Sequence, residues 1–228
     1  MVLIPAGEFQ MGSNNGESDE KPVHSVYLDA FYIDIYEVTN ALYTACVQAG
    51  GCTPPHESSS YTHSDYYGNS QYDDYPVIQV DWNQAKAYCE WRGSELPTEA
   101  QWEKAARGGL GGKDYPWGDE IPDCNRANFG GISGCVGDTS KVGSYPANGY
   151  GLFDMAGNVQ EWVVDAYSEV YYAASPSLNP LGLLWGQYRV LRGASWGYDV
   201  RFARSARRGW NSPENWNNGL GLRCARLP

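Results

Sequence analysis

Six cysteines and three histidines are the residues of this 228-residue chain whose spacing can be tested against known chemistry. A thiolate serves as nucleophile or soft-metal ligand, and zinc sites gather Cys and His in closely spaced pairs. No C-x-x-C occurs, and His24, His56 and His63 form no helical pair, so the spacing argues against zinc. The even count suggests disulfides instead. Cys46 and Cys52 bracket "VQAGG", and Cys124 and Cys135 bracket a glycine-rich loop, which is the spacing of local loop clamps. Elimination leaves Cys89 and Cys224 as a long-range pair. Three such bonds favour an oxidising compartment or a thermophile's cytosol. The expected location is therefore extracellular or at the cell surface, although "MVLIPAGEFQ" lacks the charged and apolar regions of a signal peptide.

The arginines are the second lead. The formal charge of -11 argues against nonspecific binding to nucleic acid or anionic lipid, and no run approaches the ~20 apolar residues of a membrane span. Neither a nucleic-acid partner nor membrane insertion is expected. Yet Arg189, Arg192, Arg201, Arg204, Arg207, Arg208, Arg223 and Arg226 all lie in the last 40 residues, against only Asp199 and Glu214 there. Guanidinium forks suit two uses: bidentate pairing with body carboxylates in buried networks, or contact with a ligand. Tyr198, Asp199, Val200, Arg201, Phe202, Arg208, Trp210, Asn215, Trp216 and Asn217 mix aromatics, arginine and asparagine. That mixture gives contact area at low entropy cost in paratopes. The plainer use is that Phe202, Trp210 and Trp216 fill a core and the asparagines hold turns.

The elements that must position these residues are short. Glycine (27) and proline (13) are abundant, aromatics reach 14%, and apolar runs are brief, which describes a loop-rich α+β chain. With no composition break to mark a linker, residues 1–228 read as one domain. "IPAGEFQMGS" reads as strand and turn, and "HSVYLDAFYIDIYEVT" alternates as paired strands do. Thr39 caps a helix whose Leu42, Tyr43, Cys46 and Val47 form an apolar face before Gly50 and Gly51. Residues 53–75 carry no periodicity and read as a long loop. A second helix runs through "NQAKAYCEW" to Gly93. A third begins at "LPTEAQWEKAARGG", with Thr98 and Gln101 as a capping box and Gly108 as the stop.

Several ordered motifs together resemble the formylglycine-generating enzyme (sulfatase-modifying factor) family, a variant of the C-type lectin fold. Its carriers are "IPAGEFQMGS", "VTNALY", "YPVIQVDWNQAKAYCEWRGSELPTEAQWEKAARGG", "YPWGD", "NGYGLFDMAGNVQEW", "RVLRGASW" and "GLGLRCAR". The resemblance implies a disulfide between the second helix and the final "RC", agreeing with Cys89 and Cys224. It also implies structural calcium: Asn158 and Glu161 as side-chain ligands with the Val159 carbonyl, and Asn128 with Asp138 as a second site. Oxygen ligands on irregular loops suit calcium. The plainer use of Asn158 and Glu161 is to fix a turn through hydrogen bonds.

The catalytic members hold copper on a cysteine pair just before an N-x-P turn. Here that segment reads "GYDVRFARSARRGWNSP" and contains no cysteine; the matching positions fall at about Val200 and Ser205. Neither offers a thiolate, so no copper is expected, and Ser205 has no neighbouring histidine in sequence to activate it. The resemblance therefore implies a noncatalytic branch. One such branch comprises variable ligand-binding proteins diversified by retroelements, whose changing residues lie between "RGGSW"-like and "GFR"-like motifs. "RVLRGASW" and "GLGLRCAR" frame residues 197–219 in that way. Recognition of a protein or other macromolecular ligand through this segment is the leading expectation. An enzyme of the family working by another route is the alternative, and carbohydrate binding through calcium ranks last.

Overall fold

The computed structural model describes residues 1–228, the side chain of Ile132 excepted. Three helices form where the sequence supplies caps. Thr39 accepts from the Leu42 N–H at the head of α1 (Asn40–Gln48), with Tyr43 and Cys46 buried and Leu42 exposed. Asp81 and Gln84 cap α2 (Trp82–Trp91) reciprocally, and Thr98 and Gln101 do the same for α3 (Glu99–Arg107). Each box satisfies two N-terminal N–H groups that a helix otherwise leaves open. Helix α3 stops at Gly108, whose φ of 56° a side chain would disfavour.

Strands β1 (Val2–Ile4) and β2 (Gly7–Met11) are followed by β3 (His24–Leu28) and β4 (Phe31–Ile33). β3 and β4 form as the alternation predicts, but they do not pair with each other. β3 pairs antiparallel with β2, placing Phe9 opposite Val26, while β4 lies between β1 and β9 (Ala225–Arg226). Asp29 and Ala30 carry the chain from one sheet to the other, and β1 and β9 bring both ends of the chain into one sheet. The largest sheet has the order β7 (Gly209–Asn211), β6 (Arg189–Arg192), β5 (Gln160–Ala166) and β8 (Leu220–Gly221), with β5 and β8 parallel.

Strand β5 organises the core because neighbouring residues face opposite sides of a sheet. Trp162 joins the cluster of Tyr43, Tyr88, Leu191 and Leu222, whereas Val163 joins that of Phe31, Trp102, Ala105 and Val190. The segment 53–75 is irregular, as expected, apart from the single turn Ser70–Tyr72. It is not a free loop, since Tyr66 and Tyr72 pack on Ile78 and Val159. Disulfides join Cys46 to Cys52, Cys124 to Cys135, and Cys89 on α2 to Cys224 beside β9. Among the described residues, no helix is long and apolar enough to cross a membrane.

Candidate functional site

The C-terminal segment is held by arginines turned inward. Arg192 on β6 donates to Glu103 Oε2 at 2.7 Å and Glu99 Oε1 at 3.2 Å, and also to the carbonyls of Ser205 and Ala206. Arg208 donates to both Glu99 oxygens at 2.7 and 3.0 Å and to the carbonyls of Asp19 and Ser168. Burial would raise the Glu103 carboxyl, but Arg107 and Arg192 hold it below the ordinary range. Arg204 grips Glu20 at 2.6 and 2.7 Å, and Arg223 grips Glu161 at 2.7 Å twice. Of the two uses open to the arginines, Arg192, Arg204, Arg208 and Arg223 take buried or partly buried pairing. Arg208, expected at the ligand face, is 1% exposed, so its charge is answered by Glu99 before any ligand arrives. Ser205 is wholly buried, which removes it from reach of a substrate.

Between these anchors the chain leaves an open cleft of about 550 Å³. Tyr198, Phe202, Arg207, Arg208, Gly209 and Trp210 form one wall, and Glu17, Ser18, Asp19, Gln160, Tyr167 and Glu169 form the remainder. Asp199 caps the short turn Val200–Phe202 that presents Phe202. Pairing of β7 with β6 sets Trp210 opposite Val190, and its ring, half exposed at 49%, lies 4.5 Å from Tyr188 and 5.7 Å from Tyr167. Burial, with the hydrogen bond to Asp19, pushes the Tyr167 hydroxyl up to about 12, so it stays protonated and donates to Asp19 Oδ2 at 2.9 Å. A second hollow, about 480 Å³, is lined by Tyr61, Ser195, Trp196, Tyr198 and Asn217.

The ten residues expected at the ligand face therefore divide. Tyr198, Phe202, Arg208 and Trp210 line the cleft, and Tyr198 and Asn217 line the second hollow. Asp199 and Arg201 pair with each other at 2.9 Å in solvent, and Val200 heads its turn. Trp216 stacks on His56, which meets Asp81 at 3.0 Å, and Asn215 donates to Asn211, as an asparagine holding a turn does. Phe202, Trp210 and Trp216 all lie outside the four buried clusters of the core. Sequence reading missed Glu17, Asp19, Gln160, Tyr167 and Glu169. Glu17 and Asp19 sit in the polar run "NNGESDEKP" before β3, whose composition gives no sign of a cleft.

The oxygens expected to ligate calcium are largely engaged. Asn158 Oδ1 accepts from the Ser140 N–H at 2.8 Å, and its Nδ2 donates to Glu37. The Val159 N–H also donates to Glu37, at 3.0 Å. Glu161 accepts both Arg223 bonds and a third from the Trp102 indole at 2.7 Å. Asp138 accepts from Ser60, Thr62 and Thr139. Asn128 Oδ1 and Asp154 Oδ1 are among the buried oxygens that have no partner among the described residues. Burial holds the Asp154 carboxyl up at about 6, and burial together with Asp154 and Glu161 raises Glu37 well above the carboxylate range.

A model of the sulfatase-modifying factor enzyme 1-like domain matches residues 1–228. The chain is 38% identical to the formylglycine-generating enzyme of Streptomyces coelicolor, over 98% of this chain and 88% of that protein. It is 34% identical to the inactive C-alpha-formylglycine-generating enzyme 2 of Bos taurus, over 99% and 87%. Identity reaches 40% with the serine/threonine-protein kinase pkn1 of Chlamydia pneumoniae, of which the chain spans 38% of the length. Among solved structures, PvdO from Pseudomonas aeruginosa superimposes with a TM-score of 0.86 at 31% identity, covering 100% of this chain and 94% of that one. Treponema denticola variable protein 1 gives 0.83 at 28%, covering 100% and 95%.

Proposed function

Because the chain belongs to the sulfatase-modifying factor enzyme 1-like family, we propose that it is a noncatalytic recognition member of it. It holds a protein or other macromolecular ligand in the cleft built on residues 198–210. One observation carries this reading: all six cysteines are closed in disulfides, and none lies in the segment where the family's catalytic pair would sit, while that segment presents Tyr198, Phe202 and Trp210 to an open cleft. The likeness to Treponema denticola variable protein 1 supports residues 197–219 as a diversified surface. Three disulfides suit an oxidising compartment, in keeping with a role outside the cell.

The test has two arms. Incubation with copper and a cysteine peptide, followed by aldehyde labelling, is expected to give no product; labelled product restores the enzyme. Substitution of Tyr198 and Phe202 to alanine is expected to move the melting temperature by less than about 3 °C, because partly exposed side chains away from special features contribute little to the fold. A larger loss makes them core rather than recognition residues. A structural calcium is a second reading, supported by the orphaned Asn128 Oδ1 and Asp154 Oδ1. Calcium at a hundredfold excess over its dissociation constant stabilises by about 2.7 kcal/mol, so a melting temperature identical in calcium and in chelator removes it.

A further inference from the structure

Resting on that reading of the cleft, we infer that its ligand group is a cationic side chain, a lysine or arginine of the partner. Five charged residues line the cleft: Glu17, Asp19 and Glu169 against Arg207 and Arg208. Arg208 is answered by Glu99 and the nearby Arg204 by Glu20. The cleft lining thus carries three carboxylates against two guanidiniums, with Asp19 also acting on Arg208 and with Arg207 lying 5.1 Å from the Phe202 ring centroid.

Asp19 carries the argument furthest. It is 6% exposed, its Oδ2 is occupied by Tyr167, and its Oδ1 has no partner among the described residues, although it lines the cleft. A buried carboxylate with an unused oxygen is costly unless something donates to it. Glu169 stands at the same cleft, accepting only the Ser18 hydroxyl at 2.8 Å. Arg208 already lies over the Tyr167 ring at 5.0 Å, so Trp210 supplies the aromatic face beside these carboxylates, the setting in which a desolvated ammonium or guanidinium gains from ring quadrupoles as well as from charge. An anionic ligand would meet three carboxylates against two guanidiniums, one of them already bonded to Glu99.

The probe is a singly charged peptide, acetyl-Gly-Gly-Arg-Gly-Gly-amide, with counterparts carrying citrulline or glutamate in place of arginine. Each is titrated into the full chain and followed by tryptophan fluorescence and by indole N–H resonances. The arginine peptide is expected to bind at least about tenfold more tightly than the citrulline peptide, a difference of about 1.4 kcal/mol. Glu169→Gln and Trp210→Ala, both at partly or fully exposed positions, are expected to weaken it by about fivefold each. Asp74→Asn, which removes an acid outside the cleft, is expected to leave it unchanged. Equal binding of citrulline, preference for glutamate, absence of binding, or equal weakening by Asp74→Asn overturns the inference. Its failure is distinct from failure of the noncatalytic reading, which the aldehyde assay decides without reference to charge preference.

Discussion

Replacing Arg208 by methionine tests whether the C-terminal segment is held from within. Arg208 gives two bonds to Glu99 and two to backbone carbonyls, and its guanidinium stacks 4.3 Å from the Tyr172 ring centroid. Methionine keeps the apolar stem but leaves Glu99 with one longer ion-pair contact, from Arg192 at 3.2 Å, and a hydroxyl contact from Tyr172, also at 3.2 Å. Breaking a buried pair from one side costs about 3–5 kcal/mol, because a charge is left uncompensated. At roughly 2–4 °C per kcal/mol for a chain of this size, the melting temperature should fall by about 6–20 °C in calorimetry. The double variant Glu99→Gln with Arg208→Met should recover part of that loss, since the stranded charge is gone. A fall under about 2 °C for the single variant, or no recovery in the double, refutes the buried pairing and returns Arg208 to the ligand face.

Other outcomes follow from the same contacts. Burial and the neighbouring Glu99 raise the Asp165 carboxyl well above its ordinary value. Its folded state therefore holds a proton that the unfolded chain has lost, and stability falls as pH rises between the two values. Asp165→Asn should flatten that slope in urea midpoints measured across pH 4–8, and an unchanged slope excludes Asp165 as its source. Removing the Cys89–Cys224 bond, 135 residues apart, by double alanine substitution should cost about 2–5 kcal/mol in denaturant titration. The Cys46–Cys52 bond, separated by 6, should cost less, because a shorter loop restricts the unfolded chain less. A larger loss for the short loop would show that native-state contacts, rather than chain entropy, set the difference.

The sequence alone determined what depends on neighbours along the chain. Thr98, Gln101 and Gly108 bound α3 because capping acts across three or four residues, and both local disulfides followed from spacing. The ordered motifs were enough for the family and its fold, and elimination was enough for Cys89 with Cys224. Tertiary structure decided what joins distant segments. β3 and β4 look like partners in sequence, yet they pair into separate sheets. Arg208 reads as a ligand contact by composition, but Glu99, 109 residues away, takes its charge. Glu161 meets its charge partner Arg223 from 62 residues on. The acidic wall of the cleft comes from Glu17, Asp19 and Glu169, which share no local pattern with Trp210. A buried charge is neutralised by whichever opposite charge the fold brings within about 3 Å, and no periodicity along the chain encodes that distance.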